Sequence, residues 1–369
     1  MKILIIDNSA MAKDNNGRYY TNALNGLFID DLVECGNELS AYQFTTESNK
    51  TISVYDLEEH KVRCVPVKPK KNKILNYLTA YIKIIPEIWK ADFVYFYYPT
   101  SFKYATFLCR LFGKKYGLYI RGMQGVDDNL SHKIYKKAYT IFTVSDHFTN
   151  MVNKIVGRKI ANSIRPMIPY DDSHIVTDRE YKKKERYNLL FLGRIDKDKG
   201  IVELLNAMKE LTKKKEYSVF LKIVGNGAFM SQAKQLCNEL GIDEHVSFEG
   251  AVYDDDIKRK YYLEADAYIL PTYHEGFPRT LYEAMIFGTP IVTTFVGGIP
   301  ALMRENENCI KIETRSVDSI VEEVDKLLTD YTDKATHLCT NARSTVKPVI
   351  SRDRLTHGKD LNRILSNVK

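Results

Sequence analysis

The chain has 369 residues, of which 44% are hydrophobic and 27% are charged, so it is long enough for two globular domains. Its six cysteines are scattered without a Cys-x-x-Cys pair, which argues against a disulfide framework or a zinc site. No apolar run reaches about 18 residues and no signal-peptide pattern is present, so we expect a cytoplasmic protein without a transmembrane helix.

Positive charge is concentrated in the first half of the chain. Residues 1–180 hold 25 Lys and Arg against 19 Asp and Glu, whereas residues 181–369 hold 29 against 28. Within 61–90, eight basic residues accompany a single acid, Glu87. This local density of positive charge indicates that the segment binds an anionic surface. The overall net charge of +7 is only weak evidence for a nucleic-acid partner, and we do not expect one.

The first half of the sequence alternates between strand and helix patterns. Runs rich in β-branched and aromatic residues predict strands at 2–6, 61–67, 92–98, 115–120 and 140–144. The stretches between them predict helices at 18–35, 73–90, 101–112 and 145–156. Such alternation is typical of βαβ units and a parallel sheet.

A segment with two prolines and a dense polar run, 166–187, interrupts this rhythm and predicts a linker at 171–186. Alternation then resumes, with strands predicted at 187–193, 217–225, 246–250, 267–271, 290–294 and 309–312. The chain is therefore expected to form two doubly wound α/β domains in series. Ligands of such sheets bind beyond the carboxyl ends of the strands.

One predicted helix entry, "HEGFPRTLYEAM" (274–285), has a glutamate on each side of a turn. Pro278 fits the first helical turn, and the apolar stripe that follows consists of Leu281, Ala284, Met285 and Gly288. Glu275 lies in the loop and Glu283 lies off the stripe, so the pair could hold hydroxyl groups of a phosphate-containing ligand. Solvated acids at the start of a surface helix explain the pattern equally well.

The strand predicted at 187–193 is followed by "GRIDKDKG", in which Arg194 and Lys199 flank a predicted helix start. Two cations beside a helix N-terminus form an anion site. A solvated polar loop containing Asp196 and Asp198 is the alternative.

Glycine turns follow other strands. Gly225 and Gly227 begin a G-x-G pattern, but Met230 stands where a dinucleotide site has its third glycine, so a nicotinamide site is disfavoured. Gly297 and Gly298 permit either a close backbone approach to a ligand or a tight turn. In the first half, Gly17 precedes a predicted helix and could lie at the lip of a cleft.

This ordered set resembles glycosyltransferase family 4, whose members are retaining enzymes of the GT-B fold. Glu275 and Glu283 match the family's E-x7-E signature, Arg194 and Lys199 match its basic pair, and "VGNG" around Gly225 follows in the expected order. The resemblance covers 187–345 well and 1–170 mainly through architecture and the Gly17 loop.

The resemblance implies two Rossmann-like doubly wound α/β domains that face a central cleft. Their expected limits are 1–170 for the acceptor-side domain, 171–186 for the linker and 187–349 for the nucleotide-sugar domain, with 350–369 returning as a helix to the first domain.

The same resemblance assigns roles to individual residues. Glu275 would contact the donor sugar, Glu283 the ribose, and Arg194 and Lys199 the diphosphate, so the expected catalytic residues are Glu275, Arg194 and Lys199. The residues expected to bind the donor nucleotide are Glu283, Gly17, Gly225, Val252, Gly276, Phe277 and Pro278. No metal and no cofactor besides the donor substrate is expected.

The implied function is the metal-independent transfer of a hexose, with retention, from a nucleotide diphosphate sugar to a glycan or polyprenyl-linked acceptor in bacterial surface-polysaccharide biosynthesis. Two alternatives stay open: a sugar-nucleotide epimerase of the same fold and a non-catalytic nucleotide-sugar-binding protein. The second is suggested by Arg121 and Gly122, which stand where many family members carry a histidine. Ala301 likewise stands where a glutamate is common.

The stretch 68–90 combines lysines with an apolar stripe. Lys68, Lys70, Lys71 and Lys73 precede a helical pattern of Ile74, Leu75, Leu78, Tyr81, Ile82 and Ile85. The stripe could pack on the sheet of the first domain. Together with the basic residues of 61–90, it could instead bring the protein into peripheral contact with the anionic inner face of the membrane.

Overall fold

The computed structural model describes residues 1–47, 53–98, 100–122 and 127–367. They form two compact units, one of residues 1–167 with 355–369 and the other of residues 168–354. Within these described ranges, no helix is both long enough and apolar enough to cross a membrane.

The first unit is built around a mostly parallel sheet. Its strands are β1 (Lys2–Asp7), β2 (Met11–Lys13), β3 (Tyr19–Thr21), β4 (Glu38–Glu47), β5 (Tyr55–Asp56), β6 (Arg63–Val67), β7 (Phe93–Tyr97), β8 (Lys115–Ile120), β9 (Thr140–Thr143) and β10 (Ala161–Ser163). Its first helices are α1 (Ala23–Glu34), α2 (Lys73–Lys90), α3 (Ala105–Leu111), α4 (Asn129–Lys137) and α5 (Asp146–Val156). The strand order is β10-β9-β8-β7-β1-β4-β2-β3-β5, with β6 also paired to β4.

The second unit has a six-stranded parallel sheet in the order β13-β12-β11-β14-β15-β16. Its strands are β11 (Arg186–Leu192), β12 (Ser218–Val224), β13 (Val246–Gly250), β14 (Ala267–Leu270), β15 (Ile291–Thr294) and β16 (Ile310–Ile312). Its helices are α6 (Ile201–Leu211), α7 (Met230–Leu240), α8 (Asp255–Glu264), α9 (Arg279–Ile286), α10 (Val317–Thr329) and α11 (Tyr331–Ile350). Short 3-10 helices span Asp172–His174, Lys197–Lys199, Asp243–His245 and Ile299–Ala301.

The central strands of both sheets have helices on both faces, which accounts for their continuous apolar runs. In β1, every residue after Lys2 is buried, and the strand pairs in parallel with β4 and β7. In the second unit β11 has the same central place, between β12 and β14. Parallel strands that are buried on both faces consist of continuous apolar runs rather than alternating apolar and polar residues. These continuous runs made the strands easy to recognise in the sequence.

The predicted helix at 18–35 is wrong in its first turn. Tyr19–Thr21 form β3, which pairs antiparallel with β2 and β5, because aromatic and β-branched residues favour a strand. The helix α1 begins only after Asn22, whose side chain accepts a hydrogen bond from the backbone N–H of Asn25 at 2.9 Å.

Residues 171–186, expected to form a linker, pack onto the second unit. The Tyr181 hydroxyl donates a hydrogen bond to the Gly288 carbonyl at 2.7 Å, and the Arg179 guanidinium donates to the Tyr262 carbonyl at 3.0 Å. These side chains were not predictable from the polar character of the segment, because their partners are more than 80 residues away.

The last helix, α12 (His357–Leu365), belongs to the first unit, where it packs against α1. Leu361 and Leu365 are buried in the same apolar cluster as Phe28. The first unit is therefore made from two separate parts of the chain.

Candidate active site

Loops that follow neighbouring strands of the second sheet are bonded to one another. The N–H of Ile195, after β11, donates to the Asn226 carbonyl, after β12, at 3.0 Å. The N–H of Tyr273, after β14, donates to the Asp198 carbonyl at 2.8 Å. The carboxyl edge of this sheet thus carries three loops that hold each other in place.

Gly225 makes the approach of two of these loops possible. Its φ is +146°, and its N–H donates to the Gly250 carbonyl at 2.7 Å. A Cβ atom at this position would lie 1.8 Å from the Gly193 carbonyl oxygen. Gly225 is therefore placed to shape the Arg194 loop.

Lys199 is a buried cation in this edge, with a residue exposure of 6%. Its ammonium group forms an ion pair with the Glu275 carboxylate and donates a hydrogen bond to the His274 carbonyl at 3.3 Å. The Asp198 carboxylate lies 3.8 Å away. The structure thus brings together Lys199 and Glu275, two of the expected catalytic residues that are 76 positions apart.

The backbone of Glu275 is held by the paired glycines. The N–H of Gly298 donates to the Glu275 carbonyl at 3.4 Å. Gly297 has a φ of +57°, and a Cβ on it would lie 1.7 Å from the same carbonyl oxygen. Both interpretations of the glycine pair are therefore partly correct. Gly297 adopts the left-handed conformation of a tight turn, and the pair makes a close backbone contact, although the contact is with the Glu275 loop.

Arg194 lies at the mouth of the cluster, with 67% of its side chain exposed. Its guanidinium pairs with the Asp196 carboxylate and lies 3.9 Å from that of Asp198. The second oxygen of Asp196 accepts a hydrogen bond from the Ala228 N–H at 3.0 Å. Arg194 is therefore oriented by its own loop while it stays open to an anion.

The helix α9 starts immediately after the Glu275 loop. Pro278 is its N-cap, one position before the first helical turn where the sequence placed it, and no side chain caps the helix. The Phe277 ring packs at 4.6 Å on that of Tyr282, and Gly276 lies in the turn between Glu275 and Phe277. The positive end of the helix dipole therefore adds to the field of the two cations.

Glu283 is buried, with an exposure of 7%, although the sequence placed it off the apolar stripe. Leu281–Ile286 are all buried, so α9 has no solvent-facing side at this level. The Tyr262 hydroxyl donates to Glu283 at 2.9 Å. Burial raises the pKa of this carboxyl group, while the charge of Lys258 and the hydrogen bond oppose the shift.

Two other expected nucleotide contacts belong to other loops. Val252 follows β13 and packs, partly buried, against the core of the second unit. Gly17 belongs to the first unit, between β2 and β3, and its N–H donates to the Asp14 carbonyl at 3.2 Å.

A polar cluster at the carboxyl edge of the first sheet escaped the sequence analysis. Asp7, the last residue of β1, is buried and accepts hydrogen bonds from Asn25 at 3.0 Å and from Gln43 at 3.1 Å. Arg121, just after β8, lies 3.9 Å from Asp7 and 5.0 Å from the centre of the Tyr97 ring. Burial raises the pKa of Asp7. A carboxylate that closes a buried parallel strand is the signal that could have located it.

Together, the second-unit residues can bind an anion and accept hydrogen bonds from hydroxyl groups. Lys199, Arg194 and the start of α9 supply positive charge, and Glu275 supplies carboxylate oxygens beside it. In the described parts of the chain, no three His, Cys, Asp or Glu side chains are grouped so that they could hold a metal ion.

The second unit and the whole fold are similar to those of known proteins. Residues 176–345 match the family model "Glycosyl transferases group 1". A glycosyltransferase of Methanocaldococcus jannaschii is 33% identical over 167 residues, 45% of this chain and 42% of that protein. A lipopolysaccharide core biosynthesis glycosyltransferase of Rhizobium meliloti is 24% identical over 168 residues, 46% of this chain and 47% of its own length. This chain therefore spans less than half the length of these two relatives.

The fold is similar over the whole chain to the crystal structure of Anabaena HepE in complex with UDP, with a TM-score of 0.72 and 16% identity, covering 99% of this chain and 100% of HepE. Residues 176–345, which contain the Lys199–Glu275 cluster, belong to the glycosyl transferases group 1, and the chain as a whole has the GT-B fold.

Proposed function

We propose that this protein is a retaining glycosyltransferase that transfers a hexose from a nucleotide diphosphate sugar to a glycan or lipid-linked acceptor in bacterial surface-polysaccharide biosynthesis. The observation that carries the proposal is the ion pair between Lys199 and Glu275 beside the uncapped start of α9. The pair supports the proposal because a fixed cation can bind phosphate oxygens while the neighbouring carboxylate accepts hydrogen bonds from sugar hydroxyls.

The chemistry assigns a task to each group. As the bond between the sugar C1 and the diphosphate oxygen breaks, its electron pair moves onto that oxygen, and Lys199 and Arg194 stabilise the growing negative charge. The acceptor hydroxyl forms the new bond to C1 on the same face and gives its proton to the departing phosphate oxygen. Because fixed cations oppose the new charge, we propose that transfer needs no metal.

The two glutamates would bind different parts of the donor. Glu275 is partly exposed and uses one oxygen for Lys199, so its other oxygen can accept a hydrogen bond from a sugar hydroxyl. Glu283 is buried beside Tyr262, four residues inside α9, and would reach the ribose.

An exposed face of α2 supports a peripheral location at the inner face of the membrane. Ala80, Ile84 and Ile88 are the residues through which α2 packs on the sheet. Five of the six residues of the predicted stripe instead face outward, with an exposure of 81% for Ile74, whereas Tyr81 packs partly buried against the core. Trp89, which is not part of the predicted stripe, is 66% exposed on the same side. The other exposed apolar residues of α2 are Leu75, Leu78, Ile82 and Ile85. The lysines of 68–73 adjoin this face, which we propose as a membrane contact that brings a polyprenyl-linked acceptor to the enzyme.

A donor screen followed by a transfer assay tests the function. The purified protein is screened with UDP-, GDP- and CDP-sugars for the largest rise in melting temperature, because a bound ligand stabilises the native state by mass action. The best donor is then incubated with a polyprenyl-diphosphate-linked glycan, with and without EDTA. We expect transfer in both samples and, by NMR, an anomeric configuration equal to that of the donor.

Other results would select another function. An epimerised sugar nucleotide formed without acceptor would identify an epimerase. Tight donor binding with no turnover on a panel of acceptors would identify a non-catalytic binding protein. An inverted product, or transfer that requires added Mg²⁺ or Mn²⁺, would contradict the mechanism.

A further inference from the structure

The first unit contains a cationic hollow that none of the proposed chemistry uses. Its volume is about 460 Å³, and the basic residues in its wall are Arg110, Lys114, Lys115, Lys137 and Arg158. Gly113, Tyr116, Ala138 and Tyr139 form the rest of the wall, and no acidic residue of the described chain belongs to it.

The fold brings these cations together from three separate turns. Lys114 lies between α3 and β8, Lys137 ends α4 just before β9, and Arg158 lies between α5 and β10. In a parallel sheet with crossover helices, all such turns meet at the amino edge of the strands. Arg121 follows the other end of β8, so the six-residue strand separates it from the hollow by roughly 20 Å.

Helix stabilisation explains only some of the charges. Arg110 and Lys137 lie in the last turns of α3 and α4, where cations interact favourably with the helix dipole. Arg158 donates a hydrogen bond to the Ala138 carbonyl at 3.3 Å, which also serves a helix end. Lys114 and Lys115 lie beyond the helices, so this explanation does not apply to them; the Lys115 ammonium group lies 5.0 Å from the centre of the Tyr139 ring.

The cations are also not neutralised by the protein. In the described ranges, none of the five forms an ion pair with a carboxylate, whereas Lys103, Lys213 and Arg363 elsewhere on the chain each do. Like charges placed close together repel one another, and an anion removes that cost.

We propose that this hollow binds a multiply charged phosphate group, from either an anionic lipid headgroup or a soluble phosphate ester. Arginines contact phosphate oxygens in a bidentate manner and lysines act as point charges, so the mixture of both suits this ligand. The site is distinct from the proposed transfer chemistry, because all of its residues belong to the first unit and none of them is among the residues proposed to bind the donor.

The test uses inorganic pyrophosphate as the probe in isothermal titration calorimetry on the full chain. The hollow variant is K114Q/K115Q/K137Q. The matched control, K183Q/K209Q/K215Q, removes the same charge from exposed lysines of the second unit. We expect the hollow variant to lose one equivalent of bound pyrophosphate, or to bind it at least about tenfold more weakly, while the control equals the wild type.

Unchanged binding in the hollow variant, or an equal loss in both variants, would overturn the proposal. Equal melting temperatures of the three proteins show that the variants are folded. Any pyrophosphate bound at the nucleotide site is retained by both variants, so it does not affect the comparison.

Sedimentation with vesicles distinguishes the two sources of phosphate. If the ligand is a headgroup, the hollow variant sediments less than the control with vesicles of phosphatidylglycerol and phosphatidylcholine. If it is a soluble ester, both variants sediment equally, while only the hollow variant loses pyrophosphate. Each of these results supports the site and assigns its ligand.

Discussion

Arg194 and Lys199 carry the same charge in different surroundings. Lys199 is buried against Glu275, so its removal leaves a carboxylate without its partner and destabilises the loop as well as the proposed chemistry. Arg194 is mostly exposed, so we expect its removal to disturb the fold of the loop less. The exposed residue therefore allows the cleaner test of charge stabilisation.

We predict that Arg194→Ala lowers kcat by about 100-fold or more while leaving the melting temperature nearly unchanged, because its cation opposes charge that develops in the transition state. Steady-state kinetics and a thermal melt measure the two effects. Arg186→Ala, at the amino end of the strand that precedes Arg194, is the control and should keep full activity. Similar losses in both variants would contradict the assignment.

The buried Glu283 and the partly exposed Glu275 allow a second prediction. Glu283→Gln should weaken the binding of the free nucleoside diphosphate, because the ribose would lose a carboxylate acceptor. Glu275→Gln should leave that binding nearly intact and reduce transfer. Calorimetry with the free nucleotide and a transfer assay separate the effects. Equal loss of nucleotide affinity in both variants would refute the division of roles.

Gly297 gives a third prediction, which concerns backbone contact. Gly297→Ala introduces a Cβ that cannot coexist with the Glu275 carbonyl, so we expect the loop to move and kcat to fall by at least about tenfold. Gly241→Ala is the matched control, because Gly241 also has a positive φ (+67°) but no atom within 4 Å of the new Cβ. The control should lose about 1 kcal/mol of stability and keep its activity. Activity that survives in Gly297→Ala would show that the contact is unimportant.

Elements with a strong local pattern were predictable from the sequence. The helix at 73–90 and the strands at 115–120 and 246–250 have the predicted limits. The strand β4 was missed because "ELSAYQFTTE" mixes polar and apolar residues, and it is stabilised by its pairing with β1, β2 and β6. The strand propensities of the residues themselves do not reveal which neighbouring strands will pair with them.

The helix α12 contributes a buried histidine with a predictable pH effect. Burial lowers the pKa of His357 to about 3, and the Tyr95 hydroxyl lies 2.6 Å from its Nε2 atom. The unfolded chain takes up a proton near pH 6.5, whereas the native state does not. The stability is therefore full above that pH and falls as the pH decreases toward 3.

We predict that this group lowers the free energy of unfolding by about 1 kcal/mol between pH 7 and pH 5.5. Urea denaturation of the wild type and of His357→Gln at the two pH values measures it. The variant is less stable at pH 7 but should have the shallower dependence on pH. Parallel pH profiles would mean that His357 does not cause the effect.

At the scale of the molecule, the sequence predicted the fold class, and it placed Arg194, Lys199 and Glu275 in loops that follow recognisable strands, where the structure has them. Their roles stay a prediction. The sequence did not predict the burial of Glu283, the pairing of Asp7 with Arg121, or the cationic hollow. These features depend on residues that only the folded topology brings together. The outward orientation of the α2 stripe was likewise open, since a helical pattern identifies an apolar face without its partner.

The exposed face of α2 yields the prediction for the whole molecule. Trp89 is the only tryptophan of the chain and lies on that face, so its fluorescence reports contact with a membrane. We expect emission at shorter wavelength with phosphatidylglycerol vesicles at low salt, reversed by high salt. Phosphatidylcholine vesicles should have little effect.

Changing Lys68, Lys70, Lys71 and Lys73 to Glu should abolish the shift, because each lysine contributes about 1 kcal/mol near an anionic surface. Nucleotide affinity should be unchanged. A shift that persists in this variant or at high salt would show that the lysines do not direct α2 to the membrane.

The return of α12 to the first unit has a consequence for biosynthesis. A ribosome delivers the contiguous second unit, 168–354, before it has added Leu361 and Leu365. The domain that is made first therefore completes its core last. More than 300 residues are translated between Phe28 and its apolar neighbours Leu361 and Leu365. Until then the newly made half exposes the surface that α12 will cover, so the interval of greatest aggregation risk spans almost the entire synthesis of the chain.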